Sequence, residues 1–499
     1  MISAEKIAMF DRFFYPRSVA VIGVSADERA FGTLYLTALM RFGYKGKLYP
    51  VNPRGGEFFG LKAYPSVKDI PNSVDLAVIS IPAPSVRRVL EDCLARGTKA
   101  AIVISAGFRE SGEEGHRLEE ELVNIVRKGI RVIGPNCFGT YCPSGGLTLL
   151  PGSNFSRESG PVGLVAQSGQ FAEMIALQSK GLGIRFSKVI SYGNACDLTE
   201  ADFLEFLAED ADTRVIQVYI EGVKEGRRFL DIVRRTSRTK PVILWKAGLT
   251  QLGKAAVSSH TGSLGGEEMT WKAFFSQSGA VRVNSIEELI DATIAFLHLP
   301  PNCGPRVALV SGGGGGAVAG ADACERWGLA MPPLSRDTQQ KLSSVLSQIG
   351  TSVRNPVDMA TPFPPAQRLT SALEVIASSE QIDAIIVRRI FLSDKGLSLV
   401  FGLSASKEDQ RKLMDVPLVV KEKFDRPIIV VLCEEISDVE ALEFEANRRE
   451  LRDYYLAHGI PVYPTLDRAI RALAYFVKYQ EQRNGLETDS KPSGCNLQC

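Results

Sequence analysis

The stretch "SVAVIGVSADERAFGTLYLTALMRFG", Ser18 to Gly43, decides the fold class. It opens with an almost unbroken apolar run, which suits a strand covered on both faces. Gly23 closes that run, and after a polar turn the apolar residues return at helical spacing. Strand, glycine turn and helix together form the repeating unit of a parallel sheet. The unit recurs along the chain. A first block carries the strands "VAVIG", "KLYPVN", "DLAVISI", "AAIVIS" and "RVIG", ending near Ile133. The turn-rich "PSGGLTLLPGSNFSRESGP" then crosses to a second block with "VGLVAQ", "KVISYG", "VIQVYIEG", "PVILWKAG" and "AVRV". After a break at "LPPNCGP", residues 299–305, a third block reads "RVALVSGGGGG", "AIIVRRI", "PIIVVLC" and "IPVYP". The expectation is an α/β protein of three consecutive doubly wound domains, at 1–145, 146–299 and 300–480, with a disordered polar tail at 481–499.

Length and composition agree with that plan. The 499 residues suit three domains at roughly 100–200 residues each. Apolar residues make up 45% and charged residues 23%, as in soluble globular proteins. Lys plus Arg number 58 against 57 Asp plus Glu, so no global basic field recruits nucleic acid or an anionic membrane. The nine cysteines are odd in number and lack CxxC spacing, which argues against a disulfide framework or a zinc site, and no metal site is expected. The opening "MISAEKIAMFDRFFYPRS" has acids and no apolar core of a signal peptide, and no apolar run reaches about 18 residues. Cys495 in "CNLQC" sits one place too far from the end for prenylation. A reducing cytoplasm is the expected address.

In doubly wound sheets ligands gather at the carboxyl ends of the strands. The Gly23 turn and the helix after it have the geometry that holds a phosphate on backbone N–H groups, or they serve only to let that helix pack on the sheet. The dinucleotide fingerprint GxGxxG is missing, because Val24 and Ser25 follow Gly23. Where NAD binding needs an acid after the second strand, "YPVNPRGG" offers Asn52, Pro53 and Arg54. Asn and Arg donate to a phosphate where Asp repels one. Further strand ends, at Ser80 to Pro82, Ser105 to Phe108 and Asn136, are expected to line the same crevice.

The segment "GLTQLGKA", Gly248 to Ala255, nearly matches a P-loop but has Ala255 at the magnesium-binding position, so it is read as a chance match. Just beyond it lies "SSHTGSLGG", which carries His260, one of four histidines in the chain. Gly262, Gly265 and Gly266 suggest a mobile loop, and Ser258, Ser259, Thr261 and Ser263 supply hydroxyls for an anion. A neutral imidazole attacks phosphorus near pH 7 when its other nitrogen keeps a proton on an acceptor. Glu221, closing the apolar "VIQVYIEG", is a candidate acceptor, and equally a helix N-cap. Two glycine-rich turns open helices whose N-termini suit a phosphate: Gln167, Ser168, Gly169 and Gln170 in the second block, and Ser311 to Gly316 in the third, with Gly313, Gly314, Gly315 and Gly316.

Taken in order, "YPVNP", "GPNCFG", "AQSG", "YIEGV", "SSHTGSLGG" and "RNPVD" resemble the NDP-forming acyl-CoA synthetases, which include ADP-forming acetyl-CoA synthetase and, more distantly, succinyl-CoA synthetase. The resemblance covers roughly residues 10 to 480 and implies a Rossmann-like CoA-binding domain followed by two flavodoxin-like ligase domains, the order of an α subunit. It implies that His260 is phosphorylated and that Glu221 orients it. It further implies that the helices at Ser168 and after Gly316 hold the phosphate. CoA would lie across Gly23, Ser25, Asn52, Pro53, Ser80, Pro82, Ser105, Gly107 and Phe108, with Asn136 near the thioester. Ala30 stands where the family usually has a lysine, with Arg29 as the neighbouring cation, and "SGGGGGA" replaces a turn that usually holds Asn and Pro. The family's ATP-grasp module is absent from this sequence, so ADP or ATP and Mg2+ are expected on a partner β subunit in a heterotetramer. The alternative expectation is a non-catalytic CoA-binding regulator. An NAD-linked oxidoreductase is disfavoured by the missing acid and the missing GxGxxG.

Overall fold

The structure is a computed structural model that describes residues 2–148, 154–261, 267–346, 349–361, 364–389, 407–433 and 442–489. The chain divides into two compact units, Met1–Leu289 and Ile290–Cys499. In the first unit, α1 (Ala4–Phe14) leads into β1 (Ser18–Ile22), α2 (Phe31–Phe42), β2 (Lys47–Val51), a small hairpin of β3 (Gly56–Phe58) and β4 (Leu61–Ala63), and β5 (Leu76–Ile79). Then come α3 (Ala83–Ala95), β6 (Ala100–Val103), α4 (Glu113–Val126), β7 (Arg131–Ile133) and β8 (Gly139–Tyr141). The first sheet has the order β2-β1-β5-β6-β7, all parallel. Every residue of β1 is buried, as the apolar run required.

The second sheet has the order β13-β12-β11-β9-β10-β8. Its strands are β9 (Val162–Ala166), β10 (Phe186–Ser191), β11 (Val215–Ile220), β12 (Val242–Lys246) and β13 (Val281–Val283), parallel throughout, with β8 added antiparallel to β10. Its helices are α5 (Gly169–Gly181), α6 (Glu200–Glu209), α7 (Gly226–Thr236), α8 (Gln251–Thr261) and α9 (Glu268–Ser278). Residues expected in the first block therefore build an edge of the second sheet, and the two blocks share one core. Phe10 and Phe14 of α1 stack on Phe206 of α6, at 4.5 and 5.3 Å between ring centroids. Arg131 grips Asp197 with two hydrogen bonds of 2.8 Å.

The second unit takes in most of α10 (Ile286–His298) and the parallel sheet β15-β14-β16-β17-β18. These strands are β14 (Val307–Ser311), β15 (Val357–Asp358), β16 (Ala384–Arg389), β17 (Ile428–Leu432) and β18 (Val462–Tyr463), and β14 feeds α11 (Gly314–Trp327). The division falls ten residues before the expected break at 299–305. Its cause is the buried Asp291 of α10, which accepts hydrogen bonds from Arg468 (2.7 and 2.8 Å) and Arg471 (3.0 Å) of the last helix, Leu466–Asp489. That helix also runs to Asp489, into the segment expected to be disordered from 481. Residues 490–499 lie outside the described part. Among the described residues no helix is long and apolar enough to cross a membrane.

All three sheets wind alike. In each, the first strand lies between the second on one side and the next main strand on the other, so each has a switch point where a crevice opens.

Candidate functional site

In the first sheet the switch point lies between β1 and β5. Gly23 follows β1 with φ +98°, and a Cβ there would sit 2.0 Å from the Ser80 carbonyl oxygen. Only glycine allows these two strand ends to touch. Gly32 of α2 presses on the same turn, where a Cβ would lie 2.5 Å from the Gly23 oxygen. Asn52 Nδ2 donates to the Val24 carbonyl (2.7 Å), and its Oδ1 accepts from the Arg54 N–H (2.8 Å). The result is a crevice of about 560 Å³ lined by Gly23, Ser25, Asn52, Pro53, Ser80 and Pro82. Both α2 and α3 start beside it without a side-chain cap, at Ala30 and Pro82. The uncapped start of α2 suits an anionic ligand, whereas the first turn of α3 holds Pro84, which has no N–H, and a Ser85 N–H that donates to the Pro82 carbonyl (2.9 Å). Arg29 is exposed and does not line the crevice; its own N–H donates to Asp27 Oδ1 (2.9 Å). The cation that does line it is Arg88, together with Ser85. Sequence reasoning missed both, although their three-residue spacing from Pro82 marks one face of α3.

The turn after β6 behaves differently from expectation. Ser105 Oγ donates to the Ile81 carbonyl (2.6 Å) and accepts from the Ile81 N–H (3.1 Å), which ties the ends of β5 and β6 together. Gly107 and Phe108 line neither cavity. Their N–H groups donate to Glu110 Oε1, at 2.6 and 3.1 Å, and the Phe108 ring is fully buried in the first-block core. This turn is consumed by its own packing.

A second cavity, of about 570 Å³, opens at the switch point of the second sheet, where β9 and β11 end side by side. Gln167 Oε1 accepts from the N–H groups of Glu221 (2.8 Å) and Gly222 (3.1 Å), which locks the two strand ends. Ser168 caps α5, its Oγ accepting from the Phe171 N–H (3.4 Å). A Cβ on Gly169 would lie 2.7 Å from the Phe138 ring. Glu221 is 5% exposed, and its Oε1 accepts from the Tyr219 hydroxyl (3.2 Å). Glu221 is thus a cavity carboxylate, with no role as the cap of α7, whose N-cap is Glu225.

Ser105 and Asn136 come from the first block yet line this same cavity, with Gln167, Ser168, Gly169, Gln170 and Glu221. Asn136 sits at φ +58° and its N–H donates to the Ser105 carbonyl (2.9 Å). Asn194 buttresses it, donating to Glu110 (2.6 Å) and Glu119 (3.0 Å). Burial pushes the Glu110 carboxyl up, but hydrogen bonds from Asn194, Gly107 and Phe108 outweigh it and hold the group below its usual range.

Lys246, at the end of β12, escaped the sequence reading. It is 4% exposed, and its Nζ donates to the main-chain oxygens of Glu221 (2.8 Å) and Ala247. The Trp271 ring lies beneath it at 5.2 Å. Burial lowers its pKa to about 8, with Glu221 pulling it up and Lys254 pushing it further down. The signal was present: a lysine closing an apolar strand, in register with the residue before Glu221.

His260 lies in the last turn of α8, so "SSHT" is helical where a mobile loop was expected. Thr250 starts the helix, its Oγ1 accepting from the Gly253 N–H (3.1 Å), and Ala255, Ala256 and their neighbours favour it. Its side chain, like residues 262–266, lies outside the described residues. One turn earlier, Ala256 and Val257 line the cavity. The apparent P-loop is a strand-turn-helix whose glycines pack on each other, Gly248 at φ +72° and Gly253 with room for a Cβ only 3.0 Å from the Gly248 Cα.

In the third block α11 already begins at Gly314, with Gly313 as N-cap, so Gly314, Gly315 and Gly316 are helical rather than part of the preceding turn. Close packing explains part of the glycine run. A Cβ on Gly316 would lie 2.9 Å from Ser311 Oγ, whereas Gly313 and Gly315 face open space. The N-cap has no side-chain hydrogen bond, which leaves N–H donors free.

The family model described as "CoA binding domain" matches residues 17–143, and "Succinyl-CoA ligase like flavodoxin domain" matches 159–296. The ADP-forming acetate–CoA ligase I subunit alpha of Pyrococcus furiosus is 36% identical over 491 residues, 94% of this chain and 98% of its own length. The chain belongs to the NDP-forming acyl-CoA synthetase family. Other members of the family are longer. The chain spans 54% of the ADP-forming acetate–CoA ligase I of Archaeoglobus fulgidus, to which it is 40% identical over 380 residues, 75% of its own length. In structure it is similar to dinucleotide forming acetyl-coenzyme A synthetase 1 of Ca. Korarchaeum cryptofilum, in complex with phosphate and ADP. The TM-score is 0.80 at 31% identity, covering 97% of this chain and 99% of that one.

Proposed function

We propose that this chain is the α subunit of an ADP-forming acyl-CoA synthetase, interconverting acyl-CoA, phosphate and ADP with acid, CoA and ATP. The observation that carries the reading is the single cavity in which first-block Ser105 and Asn136 meet second-block Gln167 to Gln170 and Glu221. The crevice at Gly23, Asn52 and Ser80 takes the CoA phosphates, and the thioester reaches the cavity past Ile81 and Ser105. A phosphate held at the start of α5 attacks the thioester carbonyl; the C–S bond breaks and CoA leaves as thiolate. In the acyl phosphate so formed, a ring nitrogen of His260 attacks phosphorus and the carboxylate leaves. Glu221 accepts the proton on the other ring nitrogen. The start of α11, Gly313 to Gly316, is assigned as the second phosphate cradle.

The blocks 1–145, 146–299 and 300–480 divide this labour. ADP or ATP and Mg2+ belong to an ATP-grasp β subunit in a cytoplasmic heterotetramer, a reading supported by the length match to a relative named subunit alpha. The ligase names of the relatives favour turnover over a CoA-binding regulator. The test is to incubate the chain with acyl-CoA and radiolabelled phosphate. Acid-labile, base-stable label on His260 is expected; no label, or label surviving His260→Ala, refutes the reading.

A further inference from the structure

Asn194 has no part in the reaction as described, yet it lines the second cavity beside Asn136 and is only 6% exposed. Its main-chain N–H donates to the Pro135 carbonyl (2.9 Å), which seats it on the turn that carries Asn136. Its side-chain nitrogen donates to Glu110 Oε2 (2.6 Å) and Glu119 Oε2 (3.0 Å). Each carboxylate is itself held. Glu110 Oε1 accepts from the Gly107 and Phe108 N–H groups, and the buried Glu119 pairs with Arg109 at 2.6 Å. An ionised carboxylate only accepts hydrogen bonds, so both amide hydrogens of Asn194 are engaged and the amide has one orientation.

The consequence reaches the cavity. The Asn194 side-chain oxygen, left over from that pairing, lies 3.5 Å from Nδ2 of Asn136. An amide oxygen cannot donate, so Nδ2 gives one hydrogen to Asn194 and keeps the other. The main chain of Asn136 is pinned as well, at φ +58° with its N–H on the Ser105 carbonyl (2.9 Å). Two carboxylates gathered around one amide are an expensive arrangement unless the direction of that amide matters. It matters when phosphate attacks the thioester carbon. The C=O electron pair then moves onto oxygen, and the negative charge needs a fixed donor until the pair returns, the C–S bond breaks and CoA leaves as thiolate.

We propose that the remaining N–H of Asn136 is this donor and that Asn194 is a positioning residue that aims it, held in turn by Glu110 and Glu119. Catalytic hydrogen bonds are commonly long before substrate binds, and charge on the thioester oxygen strengthens the chain. The inference rests on the synthetase reading above and concerns only its first step. The test compares two rates of His260 labelling: from acetyl-CoA with radiolabelled phosphate, which needs both steps, and from acetyl phosphate labelled on phosphorus, which needs only the second. Asn136→Gly, which tolerates φ +58° and removes the amide without adding charge, should lower the ratio of the first rate to the second about a hundredfold, as loss of one oxyanion donor does. Asn194→Ser, which keeps a hydroxyl donor for a carboxylate but is too short to reach Asn136, should lower it at least tenfold, in kcat rather than in KM for acetyl-CoA. Adding Asn194→Ser to Asn136→Gly should lower it no further, because Asn194 acts through Asn136. A ratio unmoved by either variant, an effect confined to KM, or effects that multiply in the double variant overturns the proposal and leaves the synthetase reading standing. A wild-type chain labelled from acetyl phosphate alone also overturns it, and one labelled from neither refutes the synthetase reading and this inference together.

Discussion

Replacing Lys246 by methionine should remove a gain in stability that the wild-type chain shows as pH rises above 8. The ammonium is 4% exposed, bonded to two main-chain oxygens and set over Trp271. Burial brings its pKa from 10.5 down to about 8. The folded value lies below the unfolded one, so between these pH values the unfolded chain binds the extra proton and stability rises with pH. At about 1.36 kcal/mol per pH unit, the gap between 10.5 and about 8 integrates to about 3 kcal/mol. Below pH 8 methionine relieves the burial of a charge but also removes two hydrogen bonds from a charged donor, each about 1.5–3 kcal/mol. These effects offset, so the slope with pH is diagnostic and the absolute difference is not. Urea unfolding followed by tryptophan emission, in a Trp327→Phe background that leaves Trp245 and Trp271, reads the relevant block at pH 7.5, 8.5, 9.5 and 10. The wild-type minus variant difference should climb by about 2–3 kcal/mol across the series. Native Trp271 emission should titrate near pH 8 only when Lys246 is present. Stability curves that stay parallel within about 0.5 kcal/mol would refute the reasoning.

Gly23→Ala combines φ +98° with a Cβ placed 2.0 Å from the Ser80 oxygen. It should destabilise the first unit by about 2–4 kcal/mol and weaken CoA binding at least tenfold by calorimetry, and normal affinity would count against the crevice assignment. For Asp202, burial raises the carboxyl, but hydrogen bonds from Arg228, the Thr199 N–H and Lys6 outweigh it and hold the pKa at about 2. Its contribution is present above 3.8 and lost as pH falls towards 2, about 2 kcal/mol that Asp202→Asn should remove from the acid limb of a denaturation series. Equal acid dependence in both proteins would show the latch between α1 and α6 to be idle.

The three-sheet plan was readable because fully buried parallel strands are continuous apolar runs, and "SVAVI", "VGLVA" and "VALVS" are buried throughout. Boundaries were less readable. The pairing of β8 with β10 and the grip of Arg468 on Asp291 are contacts between residues 50 and 177 positions apart, which no local pattern encodes. Within the site, Gly23, Asn52, Ser80, Gln167 and Glu221 were legible because each follows a strand at a switch point. Gly107 and Phe108 were misplaced for the same reason: a strand-end turn looks alike whether its N–H groups face a ligand or, as here, Glu110. Lys246 was overlooked because the argument that a charge closing an apolar strand needs a partner was applied to Glu221 and not to its neighbour.

Why the two cavities sit next to each other follows from packing between the first two sheets. Gly193, after β10, has φ +58°, and a Cβ there would strike the carbonyl oxygens of Pro135 and Asn136 at 2.2 Å. The β10 turn and the "GPNC" turn are therefore in contact, backbone against backbone, and β8 binds the same turn region to the edge of the second sheet. Ser105 carries the connection on to Ile81 and so to the crevice. The switch point of one sheet is thus fixed against that of the other through the backbone contact at Gly193 and the side-chain bridge from Ser105 to Ile81. On the proposed reading, the thioester end and the phosphate end of the reaction need no moving part between them. Any displacement falls after acyl phosphate forms, when the phosphoryl group taken by His260, in the last turn of α8, leaves the cavity.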